Sequence, residues 1–381
     1  MDAVLIGTGG ARGWPEPDCG CASCRRAAAG GTHRSPSRTL IGGSLILHPG
    51  QPPRPAPDAP PGAAGSHQVT ALPGGWDITG PDGTRLLAAA GPEQVPEPAD
   101  GALPFDLALL DLLARPAQLG WLRARGLVHD RTVVVTVHAD HRVTSENELA
   151  RRCELWGALA GRDGARLRAP LPLTGSPATA RPRRTLIIGG ARSGKSREAE
   201  LRLAGEPAVT YLAAGPWPDE SWTGADGGPD AEWAERIAAH RAARPGWWRT
   251  RESLDIAGAL GPADGPGGAG TGATETGGAL LIDGIGTWLA AIMNQAGAWA
   301  EPPGAGALDQ VEGRIGELIA AWRGARGQIV AVTDQVGEGL VPPYPAGRVF
   351  RDQLGWLNQR LAAESDVVLQ VVAGRVQTLP G

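Results

Sequence analysis

The stretch Thr185-Leu186-Ile187-Ile188-Gly189-Gly190-Ala191-Arg192-Ser193-Gly194-Lys195-Ser196 decides the fold of half of this chain. Four β-type apolar residues run into a loop that satisfies G-x-x-x-x-G-K-S from Gly189, and Arg197 to Ala204 reads as a helix behind it. Strand, glycine loop and helix in this order cradle phosphate: glycines let successive N–H groups converge, and the helix adds its N-terminal amides. Working outward, Val209 to Ala213, Ala279 to Ile282, Ile329 to Thr333 and Val367 to Val372 are apolar on both faces, as buried parallel strands require. Helical patterns fall between them, at Asp230 to Ala243 and Arg348 to Ala363. The second half is therefore expected to be a P-loop, RecA-like α/β domain, a mostly parallel sheet flanked by helices.

Scarcity sharpens the reading of the loop. Lysine and arginine total 36, yet Lys195 is the single lysine and the rest are arginine. Lysine is a compact ammonium and arginine a wide planar fork, so the exception points to a narrow cavity that needs a point charge. Lys195 would reach the β and γ phosphates of a bound nucleotide. Ser196 would ligate Mg²⁺, with Asp283, at the end of the apolar run Leu280-Leu281-Ile282, as its carboxylate partner. The plainer alternative for Asp283 is a turn residue at a strand end. Guanine recognition by Asn-Lys-x-Asp is excluded, because no second lysine exists.

At 381 residues the chain is long enough for two domains. Glycine (57) and proline (34) are abundant, but 42% of residues are hydrophobic and no collagen period occurs, so a real core with long loops is expected. A net charge of −4 favours neither nucleic acid nor a membrane surface as partner. No window of about 18 uninterrupted apolar residues and no leader-like start is seen, which suggests a cytoplasmic protein. The proline-rich stretch 49–65 is expected to be a loop, since proline can build neither ladder nor helix interior. Turn formers from 171 to 184 suggest a linker between domains spanning 1–170 and 185–381, and 261–278 reads as a surface insertion between a helix and a strand.

Five blocks in the second half carry a family resemblance: GGARSGKSREAE from Gly189, YLAAG from Tyr211, RIAAHRAARP from Arg236, WRTRE from Trp248, and TDQVGEGLVP from Thr333 followed by RVFRDQLGWLNQRLA. Together they resemble the bifunctional adenosylcobinamide kinase/adenosylcobinamide-phosphate guanylyltransferases of cobalamin biosynthesis, over about residues 184 to 381. The resemblance implies phosphorylation of the aminopropanol hydroxyl of adenosylcobinamide by ATP or GTP, followed by transfer of GMP from GTP to the new phosphate. It further implies that His240 carries the GMP between the two steps. His240 is the one histidine of this half, and a neutral imidazole is a competent nucleophile toward an α-phosphate. On a helix, Arg236 and Arg244 would share its face; without the resemblance, an exposed histidine among solvated arginines is the plainer reading.

By the same resemblance Ala213, Ala214 and Gly215 line the nucleotide, as does the whole loop from Gly189 through Gly190, Ala191, Arg192, Ser193 and Gly194 to Ser196. Arg241, Ala242, Ala243 and Arg244 continue the site beyond the nucleophile, and Glu252 and Asp283 are acidic positions near nucleotide or metal. For Glu252 a surface carboxylate is the alternative. The segment from Val336 to Pro342, with Arg348 and Arg351, is implied to be structural or to bridge subunits of a homo-oligomer holding the corrinoid between them. Two departures stand out. The glycine-rich stretch before Asp283 is long, and the family's Asn-Glu-Val-Gly reads Asp334-Gln335-Val336-Gly337.

The first half opens with a run, LIGTGGARGWPEPDCGCASCRRA from Leu5, that resembles the start of metallo-β-lactamase-fold phosphodiesterases, implying a shortened α/β domain of that type. In such proteins a Cys-x-Cys-x-x-Cys run holds structural zinc; Cys19, Cys21 and Cys24 match it, with Cys153 or a histidine as fourth ligand and three buried thiols as the alternative. The usual His-x-His-x-Asp-His motif is reduced to Thr136-Val137-His138-Ala139-Asp140-His141. Either His138, Asp140 and His141 keep one metal, or the domain is catalytically dead; the second reading is taken here. Rival functions are a P-loop kinase of another small alcohol, a metal-dependent phosphodiesterase working through the first domain, and a nucleotide-gated scaffold.

Overall fold

A computed structural model describes residues 1–169, 182–215, 235, 244–261, 278–300 and 302–381. The chain divides into two compact units, Met1–Ser176 with Ala204–Pro207, and Pro177–Leu203 with Ala208–Gly381. The expected linker falls largely outside the described residues, and Arg184 already opens the first strand of the second unit.

In the first unit a five-stranded sheet has the order β11 (Arg166–Arg168), β1 (Asp2–Gly7), β2 (Arg38–Ile41), β3 (Leu45–His48), β4 (Gln51–Pro55). A six-stranded sheet runs β10 (Leu159–Ala160), β9 (Val133–Thr136), β8 (Leu107–Leu110), β7 (Arg85–Ala89), β6 (Gly75–Thr79), β5 (Gln68–Leu72). Their inner faces share one core: Ala3, Leu5, Ile41 and Leu45 meet Ile78, Leu86, Leu107 and Val135, all at most 4% exposed. Helices α1 (Ala22–Ala29), α2 (Ala117–Ala124) and α3 (Glu146–Trp156) complete the unit. Ser145 caps α3 by accepting from the Glu148 amide, and Gly157 ends it in the left-handed conformation.

The proline-rich stretch 49–65 corrects the sequence expectation. It contains β4, which pairs antiparallel with β3 through Leu45–Pro55, Ile46–Arg54 and His48–Gln51, and a 3-10 turn at Ala63–Ser66 is close behind. Proline is excluded from central strands because it lacks an N–H; β4 lies at the rim of its sheet, where a missing outward donor costs nothing.

The second unit is built on a seven-stranded sheet in the order β14 (Arg249–Glu252), β13 (Val209–Ala213), β15 (Ala279–Asp283), β16 (Gln328–Asp334), β12 (Arg184–Gly189), β17 (Val367–Val372), β18 (Arg375–Leu379). All neighbours are parallel except β17 and β18. The apolar runs bury both faces. Leu186, Ile188, Leu280 and Ile282 pack under α5 (Ile256–Leu260), α6 (Ile285–Gln295), α7 (Ala307–Gly324) and α8 (Pro345–Ala363). Ile187, Tyr211, Leu281 and Val332 pack with Ala199 and Leu203 of α4 (Lys195–Leu203) on the other face. The expected helix Asp230–Ala243 falls almost wholly outside the described residues, as do 262–277 of the expected insertion.

Candidate active site

Parallel strands present their C-terminal ends at one edge of the sheet, where α/β proteins gather their ligands. The loop 190–194 leaves β12 at that edge and feeds α4. Two glycines are demanded by its shape. A Cβ on Gly189 would lie 2.5 Å from Ser193 Oγ and 2.7 Å from the Val371 carbonyl, and Gly194 adopts φ +99°. Arg192 also takes a positive φ of 55°, the tight turn that points loop amides inward.

Lys195 is buried, and its ammonium donates to the Gly190 carbonyl at 3.0 Å and to Asp334 Oδ1 at 2.9 Å. Ser196 Oγ donates to Asp283 Oδ1 at 3.4 Å, so the hydroxyl and carboxylate expected to share Mg²⁺ do face each other. Tyr211 donates its hydroxyl to Asp283 Oδ2 at 2.5 Å, and the Arg244 guanidinium stacks 3.2 Å from the centre of the Tyr211 ring. Burial first, and the Asp283 charge second, push the Tyr211 hydroxyl far above its usual range, so it stays a donor. Glu200, one turn beyond Ser196 on α4, is pushed up to about 7 by burial and by Asp283, against the pull of Arg244 and Arg197.

The strand register brings further expected residues together. Ala213 lies opposite Glu252 on one side and Asp283 on the other, and the Ala214 amide donates to the Asp283 carbonyl at 3.0 Å. Gly215 abuts Thr287 at the start of α6, where a Cβ would come within 2.8 Å of Thr287 Cγ2. His240, Arg241, Ala242 and Ala243 lie outside the described residues. Arg244 is described, and it anchors the end of their segment beside Tyr211.

Three residues of this site escaped the sequence reading. Asp334 enters the sequence reading only as a departure from the family's Asn-Glu-Val-Gly, although a carboxylate closing an apolar strand is the same signal that marks Asp283. Tyr211 is one of only two tyrosines in the chain, a scarcity comparable to that of Lys195. Glu200 lies four residues beyond Ser196, so helix spacing puts it on the same face as the expected Mg²⁺ ligand.

In the first unit Cys19, Cys21, Cys24 and His141 place one ligand atom each within 4.8 Å of one another. Cys21 caps α1 by accepting from the Cys24 amide, and that bond lowers its thiol to about 7, whereas burial pushes Cys24 up to about 11. Glu16 Oε2 lies 3.2 Å from His141 Nδ1, a carboxylate partner of the kind that orients a ligating imidazole. Three thiols and an imidazole are a donor set suited to structural zinc. Cys153 is not the fourth ligand: it is buried on α3 with its thiol 3.4 Å from Thr136 Oγ1.

His138, Asp140 and His141, the alternative metal set weighed from the sequence, fall to separate partners. His141 joins the cysteines, and Asp140 holds Arg142 Nε at 2.8 Å. His138 is buried at φ +60°. Arg142 also donates to Asp111 Oδ2 at 2.8 Å and to the His138 carbonyl at 3.0 Å. Burial depresses His138 to about 4, so its ring is neutral.

The loop, its lysine and the Ser196–Asp283 pair define a P-loop nucleotide-binding enzyme. Residues 185–379 match the family described as cobinamide kinase / cobinamide phosphate guanyltransferase, and the chain belongs to that family. It is 36% identical over 197 residues to the bifunctional adenosylcobalamin biosynthesis protein CobU of Salmonella typhimurium, covering 50% of this chain and 95% of that one. It is 35% identical over 201 residues to the bifunctional adenosylcobalamin biosynthesis protein CobP of Pseudomonas aeruginosa, covering 52% and 98%. Among solved structures, Zn²⁺-bound PqqB from Methylobacterium extorquens is similar at 17% identity and a TM-score of 0.30, covering 44% of this chain and all of that one. Among the described residues, no helix is long and apolar enough to cross a membrane.

Proposed function

We propose that the second unit performs two successive transfers at one nucleotide site. In the first, the aminopropanol hydroxyl of adenosylcobinamide attacks the γ-phosphate of ATP or GTP, forming the new P–O bond as the nucleoside diphosphate leaves. In the second, His240 attacks the α-phosphate of GTP and releases pyrophosphate; the phosphate of adenosylcobinamide phosphate then displaces the imidazole, giving adenosylcobinamide-GDP.

The observation that carries this reading is the arrangement of Lys195, Ser196 and Asp283 at the mouth of the loop, in a chain of this family. Lys195 and the loop amides stabilise negative charge on the transferring phosphoryl group. Ser196 and Asp283 would hold Mg²⁺, which offsets phosphate charge when bound. Tyr211 keeps the Asp283 carboxylate aimed, and Arg244 stacks on the Tyr211 ring.

The first unit is proposed to be a zinc-stapled domain without hydrolytic chemistry of its own. Cys19, Cys21, Cys24 and His141 would hold the zinc, and Asp111 and Asp140 are engaged by Arg142.

GTP labelled at the α-phosphate tests the main reading. Label that survives alkali, is released by acid and is lost in His240→Ala, while kinase activity persists, supports it. No label in protein that binds GTP, or equal loss of both activities in a folded His240→Ala, refutes it.

A further inference from the structure

We propose that Asp334 stands in for the γ-phosphate in the resting loop, so that a nucleoside triphosphate seats only by taking Lys195 from the protein's own carboxylate. The inference rests on the nucleotide-binding reading above and assigns that site a built-in competitor.

Lys195 has a choice of two carboxylates at the ends of neighbouring strands. Asp283 is already engaged by Ser196 and Tyr211. Asp334 takes the ammonium at 2.9 Å, in a bridge whose lysine side chain is 11% exposed and whose carboxylate is 36% exposed. The pair is thus shielded on the lysine side and more open on the carboxylate side.

The carboxylate cannot withdraw with its backbone. Asp334 lies in register with Gly189, the first loop glycine. The next amide, of Gln335, donates to the Gly189 carbonyl at 3.1 Å, and Asn358 Nδ2 donates to the Asp334 carbonyl at 3.0 Å. Asn358 is itself held by Thr333 Oγ1 at 2.7 Å. The second carboxylate oxygen fills the space beside Gly286, where a Cβ would approach it to 2.7 Å. Release of Lys195 therefore takes rotation of a side chain rather than movement of the strand end.

A terminal phosphate that contacts Lys195 therefore either displaces Asp334 or lies against a like charge. A small anion with few partners loses that contest. A triphosphate, held also by the loop amides, can win it, at the cost of affinity. The penalty falls mainly on the terminal phosphate, so it weakens triphosphate binding more than diphosphate binding.

Calorimetric titration of the full chain with GTP and with GDP, each with Mg²⁺, tests this in wild type, Asp334→Asn and Asp334→Ser, with melting curves to show that the variants fold. The expected result is about tenfold tighter GTP binding in both variants, with a gain for GDP of about threefold or less. Unchanged or weaker GTP binding in folded variants, or equal gains for GTP and GDP, overturns the proposal while leaving nucleotide binding intact. Failure of all three proteins to bind GTP overturns the proposal and the reading it rests on together.

Discussion

Replacing Lys195 with arginine keeps the charge and changes the shape, which makes it the sharpest probe of the loop. The ammonium is confined between the Gly190 carbonyl at 3.0 Å and Asp334 Oδ1 at 2.9 Å, on a side chain 11% exposed. A planar guanidinium cannot enter that gap without moving the loop, so it reaches Asp334 from outside and misses the transferring phosphoryl group. Loss of one preorganised donor in the transition state costs about 3–4 kcal/mol, or about 10²–10³-fold in kcat. The resting protein loses far less, because the bridge to Asp334 can re-form, and a melting shift within about 4 °C is expected. Steady-state kinase assays on adenosylcobinamide, with Lys195→Ala alongside, check the argument. Arginine should be nearly as damaging as alanine. A folded Lys195→Arg enzyme within tenfold of wild-type kcat would show that charge alone suffices and that the scarcity of lysine was misread.

Other outcomes follow from the same geometry. Elemental analysis should find one zinc per chain, lost in Cys24→Ser and in His141→Ala but retained in Cys153→Ser, because Cys153 lies outside the cluster. His138 sits at about 4 in the folded protein, against about 6.5 when unfolded. The unfolded chain takes up that proton first as pH falls, so stability is lost between pH 6.5 and 4, by about 3 kcal/mol. Urea unfolding of His138→Asn, which tolerates the positive φ, should lack that part of the acid loss; an unchanged pH profile would refute the assignment. Trp322, fully buried under the sheet, should cost about 3–5 kcal/mol when cut to alanine, read as a lower denaturant midpoint for the second unit.

The second unit was legible because its strands are buried on both faces and therefore spell continuous apolar runs. Val209–Ala213 and Val367–Val372 run as read from sequence, and the others differ by a residue or two at their ends. Lys195, Ser196 and Asp283 were legible for a related reason: motif and strand end fix their places along the chain. Asp334 closes an apolar strand as Asp283 does, so its place at a strand end is legible too; that it meets the lysine depends on sheet order. Only the insertion of β16 between β15 and β12 carries it to the lysine, and order is a long-range property that no local window holds. The fourth member of the cysteine group was hidden in the same way. His141 is far from Cys24 in sequence, and the spacing could not choose between it and Cys153. The strand at 51–55 was misread because the rule against proline holds inside a sheet and lapses at its margin.

That margin bears on how the protein behaves at high concentration. A sheet's outermost strand offers unpaired amides to any passing chain, and so invites strand-by-strand accretion. Here β4 reads Gln51-Pro52-Pro53-Arg54-Pro55, so three of its five residues have no amide hydrogen to offer. The opposite margin, β11, is Arg166-Leu167-Arg168, and in the second unit β14 is Arg249-Thr250-Arg251-Glu252 while β18 opens with Arg375. A second molecule that aligned with these strands would meet missing donors on one side and guanidinium groups facing their own kind on the others. Arginine and proline, abundant by composition, thus keep the five-stranded and seven-stranded sheets from growing past the chain that made them.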